Sequence, residues 1–414
     1  VPNVPPDGEP VPADGSLPPA ALAGLGRRGF GVYVHVPFCA SRCGYCDFNT
    51  YTAAELGPGA SRESFLPTVR SELALAARAL AGAAPARVDT VFVGGGTPTL
   101  LPAGELARLL ADIDASWPLA PDAEVTVEAN PESVDPASLR RLRAAGYTRI
   151  SLGMQSAARH VLAVLDRRHS PGRAVSAAAE ARAAGFRHVN LDLIYGTPGE
   201  SAEDFAGSLA AAIGAGVDHL SAYALTVEPG TALSARIRRG ELPAPDDDRA
   251  ADRYLAADAT LAAAGFAWYE ISNWSASPAG RCRHNLGYWT GADWWGLGPG
   301  AHSHIGGVRW WNVTHPGRYA ARLAAGRSPG HGREVLTAGQ RRMEEVMLGL
   351  RLADGLPLAR LPGAGAPAAA RAVADGLLTA AAHRQGRAVL TLRGRLLADT
   401  VVRALLADLP AGTT

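Results

Sequence analysis

Three cysteines fall close together in Cys39-Ala-Ser-Arg-Cys43-Gly-Tyr-Cys46. A Cys-x3-Cys-x2-Cys loop is short enough to wrap three thiolates around one face of a cubane iron–sulfur cluster, and a 4Fe-4S cluster ordinarily takes four cysteines, one per iron. Three protein ligands leave one iron with open coordination positions, where chemistry can be done. Two plainer uses of the thiols fit less well. A disulfide pair plus a free thiol suits a secreted chain, and four cysteines in 414 residues are not a disulfide scaffold. A zinc site asks for a fourth Cys or His in paired Cys-x2-Cys spacing, and His35 lies four residues before Cys39 in an expected strand.

Further polar and glycine-rich groups recur at the ends of apolar runs. Val91-Phe-Val-Gly-Gly-Gly-Thr97 places Gly94, Gly95, Gly96 and Thr97 directly after one such run. Without a Cβ, that backbone can approach a ligand closely; the plainer reading is an ordinary strand-to-helix turn. Glu128, Gln155 and Asp192 end three further runs, and Arg167 and His169 follow the fourth strand in Leu162-Ala-Val-Leu-Asp-Arg-Arg-His169. Each alone reads equally as a satisfied polar group or a helix cap. Polar residues gathered at one rim of several apolar strands point to a binding site.

The elements that must position these residues alternate. Short Val/Ile/Leu runs at 31–36, 90–93, 124–128, 149–153, 189–194 and 219–224 are separated by amphipathic stretches at 65–81, 106–113, 136–145, 173–184 and 202–212. Such alternation predicts an α/β fold with a parallel sheet and helices outside it. Six units make a partial (β/α)6 barrel with an open side, and the site of a βα barrel lies at the C-terminal ends of its strands. The cysteine loop follows the first strand and belongs to that rim.

Residues 1–28, rich in Pro, Gly and Ala, read as a flexible leader with no secretory pattern. Residues 29–229 form the expected core barrel, and 230–330 a mixed α/β region dense in Trp, Gly and His. Residues 331–414 read as a small winged-helix-like C-terminal domain, with a strand-like run at 388–392 and a helix at 395–409. The chain is 47% hydrophobic and 19% charged, its basic residues are all Arg, and its net charge is +1. Nothing in that balance calls for nucleic acid or an anionic membrane. No apolar run reaches the ~18 residues of a membrane span. Unpaired thiols suited to a cluster predict a reducing compartment, the cytoplasm.

The run from Tyr33 through the three cysteines to Phe48 resembles the radical-SAM signature, in which the open iron binds S-adenosylmethionine (SAM) through its amino and carboxylate groups. With the glycine turn and the rim residues it resembles, over residues 29–410, the family of oxygen-independent coproporphyrinogen III oxidases and their heme-chaperone relatives. The resemblance implies that Cys39, Cys43 and Cys46 hold a 4Fe-4S cluster and that Tyr33, Gly95, Gly96, Thr97 and Glu128 surround its SAM. Tyr45 matches an aromatic that shapes that site, while Gln155, Arg167 and Asp192 fall where the oxidase binds a second SAM, or line the same cavity without that role.

Two features favour the chaperone branch. Phe48 stands where the oxidase motif has a further cysteine, and His284-Asn-Leu-Gly-Tyr288-Trp289 resembles the chaperone's heme-binding motif. A neutral imidazole is a common axial ligand of heme iron, so His284 is the implied heme contact, with Tyr288 and Trp289 as flat faces. Read without the family, His284 is a hydrogen-bonded core histidine, Cys282 a buried thiol, and His302 in the Gly296–Ser303 turn a loop cap or a porphyrin contact. The expected protein is a heme chaperone without oxidase activity that passes heme to apo-hemoproteins, respiratory ones at the membrane, from a cytoplasmic or partner-mediated peripheral position. A homodimer is compatible with the sequence. The alternative is the oxidase, a radical-SAM decarboxylase of coproporphyrinogen III propionates. A radical-SAM enzyme acting on nucleic acid lacks a basic stripe with interleaved aromatics to support it.

Overall fold

The computed structural model describes residues 8–56, 59–83 and 87–407. Six strands form a parallel array in chain order: β1 (Phe30–Val36), β2 (Val88–Gly95), β3 (Leu119–Ala129), β4 (Arg149–Gln155), β5 (His188–Tyr195) and β6 (His219–Ala224). Every residue of β4 is buried, as is all of β1 except Tyr33. Burial on both faces is what continuous Val/Ile/Leu runs require, and Val34, Val93, Val127, Leu152 and Leu191 share one core. Helices Arg62–Ala79, Ala103–Ser116, Pro136–Ala145, Arg173–Ala183 and Ala202–Gly214 connect successive strands. Three begin with reciprocal capping boxes, Ser61 with Ser64, Asp135 with Ser138 and Ser201 with Asp204. Each cap satisfies N–H groups that a helix start leaves unpaired.

After β6 the chain stays in the same sheet and extends both of its edges. The antiparallel pair β7 (Ala267–Glu270) and β8 (Asn273–Ser275) joins β6 through β8. β9 (Asp293–Leu297) crosses to the far side and pairs parallel with β1. β10 (His302–Ile305), β11 (Val308–Asn312) and β12 (Gly330–Val335) continue from it antiparallel. The order is β12-β11-β10-β9-β1-β2-β3-β4-β5-β6-β8-β7, an open twelve-stranded sheet whose centre is the expected partial barrel. The Trp-rich 230–330 stretch thus supplies both flanks except the outermost strand β12, which beyond Gly330 lies in the stretch expected to begin the C-terminal domain; Trp295 and Trp310 pack together at 4.8 Å inside the main core.

The stretch read as a leader touches this flank from its ninth residue. Glu9 pairs with Arg333 of β12 through two backbone hydrogen bonds of 2.8 Å, and Ala21 is buried. The first seven residues lie outside the described ones.

A second, separate core of Val346, Leu350, Leu356, Ala369, Leu390 and Val401 lies in the C-terminal part. It is built from helices Ala338–Gly349, Gly365–Ala374 and Ala398–Leu405 and the two-stranded pair β13 (Leu356–Pro357) and β14 (Arg387–Ala388). Of the strand expected at 388–392, Ala388 pairs with Leu356 and Leu390 forms a single antiparallel bridge with Leu378; Thr391 accepts from the Gly394 N–H and starts helix Leu392–Leu396. The helix expected at 395–409 is split near Leu397, and 408–409 lie outside the described residues. Arg395 ties this part to helix Asp247–Ala263, with two 2.8 Å bonds to Asp258 and its guanidinium 4.3 Å from the Trp268 ring centre. No helix among the described residues is long and apolar enough to cross a membrane.

Candidate functional site

The cysteine loop leaves β1 and is closed at its base by two backbone bonds, Cys39 N–H to Tyr51 O (3.0 Å) and Tyr51 N–H to Pro37 O (2.7 Å). Its middle is pinned at Gly44, whose N–H donates to Leu165 O and whose carbonyl accepts from Leu233 N–H. Tyr45 packs beside the small cluster of Val161, Leu165, Ile194, Leu225 and Leu233. Cys39, Cys43 and Cys46 are free, partly buried, and line one cavity of about 820 Å³ at the C-terminal ends of the strands. Burial pushes the Cys39 thiol up, and pushes the Cys46 thiol to about 11. The Arg167 guanidinium lies 3.4 Å from Cys43 Sγ. Such thiols give up their protons when metal binds, and an adjacent cation favours the thiolate. Among the described residues no three His, Cys, Asp or Glu side chains close on a single metal ion, but three free thiols lining one cavity, with a cation beside Cys43, are the donor type that a cluster held by three cysteines takes.

The glycine turn braces this loop from the neighbouring strand. A Cβ on Gly96 would lie 2.5 Å from Phe38 O and 3.1 Å from Cys39 Sγ, so only glycine fits there. Gly96 N–H donates to Val36 O and Thr97 N–H to Phe38 O. Gly95 N–H donates to Glu128 Oε2 at 2.9 Å. Burial, with the Asp192 carboxylate nearby, pushes the Glu128 carboxyl up to about 8. Asp192 is raised by burial too, although Ser151 Oγ donates to it at 2.8 Å and Asn190 Nδ2 at 2.8 Å. Gln155 ends β4 at a bulge with φ +64°, a left-handed conformation for a non-glycine residue. Conformations of this kind cluster at functional sites. Arg167 donates to Gly153 O (2.9 Å) and to His169 Nδ1 (3.3 Å); burial and that guanidinium lower the His169 imidazole to about 4. Cysteines, Gly95, Gly96, Thr97, Glu128, Gln155, Arg167, His169 and Asp192 all reach the one cavity.

Tyr33 and the histidine motif occupy a second space. It is a chamber of about 190 Å³ that shares Glu128, Ser151, Asp192 and Tyr223 with the larger cavity. His284 is buried there, on the first turn of helix Arg283–Thr290. Its Nδ1 meets Thr90 Oγ1 at 2.8 Å, its Nε2 meets Tyr288 OH at 2.9 Å, and its ring stacks on Phe92 at 5.2 Å. Burial lowers its imidazole to about 4, so it is neutral. Both ring nitrogens are engaged, which is the core-histidine arrangement; ligating a metal requires one of these bonds to open. Tyr33 hydrogen-bonds His35 Nδ1 at 3.0 Å, and Tyr288 packs edge-on against Trp294. Trp289 is half-buried on the same helix.

Two charged residues that sequence reasoning passed over set this motif in place. Glu124 of β3 and Arg149 of β4 form a buried pair at 3.2 Å. Glu124 also accepts the backbone N–H groups of Arg283 (3.1 Å) and His284 (3.0 Å). A carboxylate at a helix start answers both the free N–H groups and the helix dipole. Arg149 donates to Gly280 O (2.7 Å) and Arg281 O (3.1 Å), fixing the segment before the helix. Their signal was weak: Arg149 is the one charge in β4, but Glu124 shares β3 with Asp122 and Glu128. Cys282 lies buried in this network, its Sγ 3.5 Å from Glu124 Oε1. His302 stacks on Trp311 at 6.0 Å and lines neither space.

With that geometry in hand, the chain can be set beside known proteins. The model of the Radical SAM superfamily matches residues 33–212, from β1 into helix Ala202–Gly214. The heme chaperone HemW of Mycobacterium tuberculosis (strain ATCC 25618 / H37Rv) is 60% identical over 385 residues, 93% of this chain and 97% of that protein. The chain belongs to the HemW family of radical-SAM proteins. HemW of Escherichia coli (strain K12) is 38% identical over 289 residues, 70% of this chain and 71% of its own length. The solved structure of Escherichia coli coproporphyrinogen III oxidase (HemN), a radical SAM enzyme, superposes with a TM-score of 0.79. It covers 93% of this chain and 92% of its own, at 23% identity, and so establishes a shared fold. Membership of the radical-SAM superfamily implies a 4Fe-4S cluster and SAM, and the cavity at the three cysteines is where this HemW-family chain offers room for both.

Proposed function

We propose that this chain is a heme chaperone that holds a 4Fe-4S cluster on Cys39, Cys43 and Cys46, binds SAM in the adjoining cavity, and passes heme to apo-hemoproteins. The observation that carries the reading is the near full-length 60% identity to a protein named a heme chaperone. The cluster, when bound, supplies an iron open to SAM and a one-electron donor. This chain's own residues do the holding. Gly95, Gly96 and Thr97 brace the cysteine loop, Arg167 sets positive charge beside Cys43, and Glu128 and Asp192 offer carboxyl groups to the cationic side of SAM. Heme contact falls to His284, Tyr288 and Trp289, and opening of the His284–Tyr288 bond frees Nε2 for iron. Phe48, more than half exposed at the cavity mouth, presents an apolar ring where the oxidase motif carries a thiol. Apo-hemoproteins of the respiratory membrane are the recipients this reading favours, reached from the cytoplasm. Residues 29–229, 230–330 and 331–414 serve in it as core barrel, heme-motif region and docking appendage.

The test is anaerobic reconstitution followed by two assays. Heme titration should show saturable binding that His284→Ala weakens while the cluster spectrum stays unchanged. Supply of SAM, reductant and coproporphyrinogen III should give no protoporphyrinogen. Catalytic vinyl product from cluster-loaded protein would overturn the chaperone reading in favour of the oxidase.

A further inference from the structure

We propose that Asn49 is a positioning residue for the metal-binding loop, gripping both ends of the β10–β11 hairpin through a turn that the buried Glu72 holds from behind. The inference rests on the cluster reading above, and it concerns a part of the chain that the cysteine spacing does not contain. Asn49 lies on the limb of the loop that returns from Cys46 to the base at Tyr51. Its Nδ2 donates to two carbonyls, Pro299 O at 2.9 Å before β10 and Thr314 O at 2.9 Å after β11. Both partners are acceptors, so the amide orientation is fixed by chemistry. Tyr51 OH adds a 3.3 Å bond to Thr314 O. The backbone carbonyl of Asn49 meets His35 Nε2 at 2.8 Å, and Tyr33 OH meets the other ring nitrogen. One residue thereby joins the loop to β1 and to the flank that adds to β1.

The turn it grips is built for this contact. Gly300 has φ +74°, and a Cβ there would lie 2.6 Å from Asn49 Nδ2. Gly298 N–H donates to Glu72 Oε2 at 2.7 Å, while Asn312 Nδ2 bonds both Glu72 Oε1 (2.7 Å) and Gly298 O (2.9 Å). Tyr319 OH donates to Glu72 Oε2 at 2.5 Å. Glu72 sits inside helix Arg62–Ala79 with about 1% exposure, so a buried carboxyl with three donors clamps the turn that Asn49 holds. Polar groups behind metal ligands fix ligand orientation, and their loss typically weakens metal binding by 10–100-fold. The run Gly296-Leu-Gly-Pro-Gly-Ala-His-Ser303 thus serves as the seat of the cysteine loop, and its His302 faces elsewhere.

The test compares wild type with Asn49→Asp, which sets a carboxylate against two carbonyls, and Asn49→Ala, which removes both bonds without adding charge. In cluster-free protein, iodoacetamide should alkylate Cys39, Cys43 and Cys46 several-fold faster in both variants, with Cys282 as reactive as in wild type. Cys282 lies buried in the Glu124–Arg149 network, so its unchanged rate separates a loosened loop from a loosened fold. After reconstitution, iron should be lost to a chelator roughly 10-fold faster than from wild type. Wild-type alkylation and iron-retention rates in both variants overturn the inference. Wild type that takes up no iron defeats the cluster reading instead, and the alkylation rates still decide the role of Asn49.

Discussion

Replacing Glu124 should damage both the fold and the heme motif, by an amount that follows from what the carboxylate touches. Glu124 neutralises Arg149, whose side chain is about 2% exposed, and caps the Arg283 and His284 N–H groups. In Glu124→Ala the guanidinium keeps its two carbonyl partners but loses its counter-charge, and two helix-start donors lose their acceptor. Removing one member of a buried ion pair typically costs about 3–5 kcal/mol, against a total stability on the order of 5–15 kcal/mol. Glu124→Gln retains an acceptor oxygen and should cost less. The double variant Glu124→Met/Arg149→Met removes both charges and should recover part of the loss, because an apolar pair of similar volume requires no buried charge. Urea unfolding of the cluster-free protein measures each value, and heme titration below the melting range tests the motif. A loss under about 1 kcal/mol for Glu124→Ala, or a double variant as unstable as the sum of the singles, would refute the argument that the pair carries the motif.

His284→Ala should lose about 2–4 kcal/mol through its two ring hydrogen bonds and its stacking on Phe92. Unchanged urea midpoints would show that the ring is not part of the core. Cys43→Ser should abolish the cluster's visible absorbance while leaving far-UV circular dichroism intact; a full cluster signal would remove that residue from the ligand set. Because the folded state holds the Glu128 proton up to about pH 8, the folded chain binds more protons than the unfolded one between the ordinary carboxyl range and pH 8. Its contribution is therefore present at low pH and lost as pH rises through that window. The difference in urea midpoint between wild type and Glu128→Gln should track it, and a difference that does not vary with pH contradicts the burial argument. His284, lowered to about 4, runs the other way: stability is lost as pH falls from the usual imidazole value toward 4, and His284→Gln should flatten that limb.

The cluster loop was legible because its signal is local: three thiols within one short loop, following an apolar run. The six parallel strands were legible for the same reason, since burial on both faces forces continuous Val/Ile/Leu runs with helices between. Glu128 and Gln155 followed once strand ends were assigned, because successive parallel strands end on one side; Asp192, expected at a strand end, instead lies inside β5, three residues before Tyr195, and reaches the cavity from there. Tertiary structure alone decided what joins across the sheet. No spacing rule indicates that β9 pairs with β1, yet that pairing brings the Gly298–Gly300 turn under a cysteine loop some 250 residues earlier in the chain. Glu124 and Arg149 carried no assignable role in the sequence; their pairing exists because β3 and β4 lie side by side, and Glu124 also caps the start of helix Arg283–Thr290. His284 could be assigned a chemistry from its type and motif, but only packing shows both its nitrogens already engaged. Residue type and short spacing fix which chemistry a segment is able to do. Long-range pairing, whose partners lie too far along the chain to leave a periodic trace, fixes where that chemistry is held and what must move for it to act.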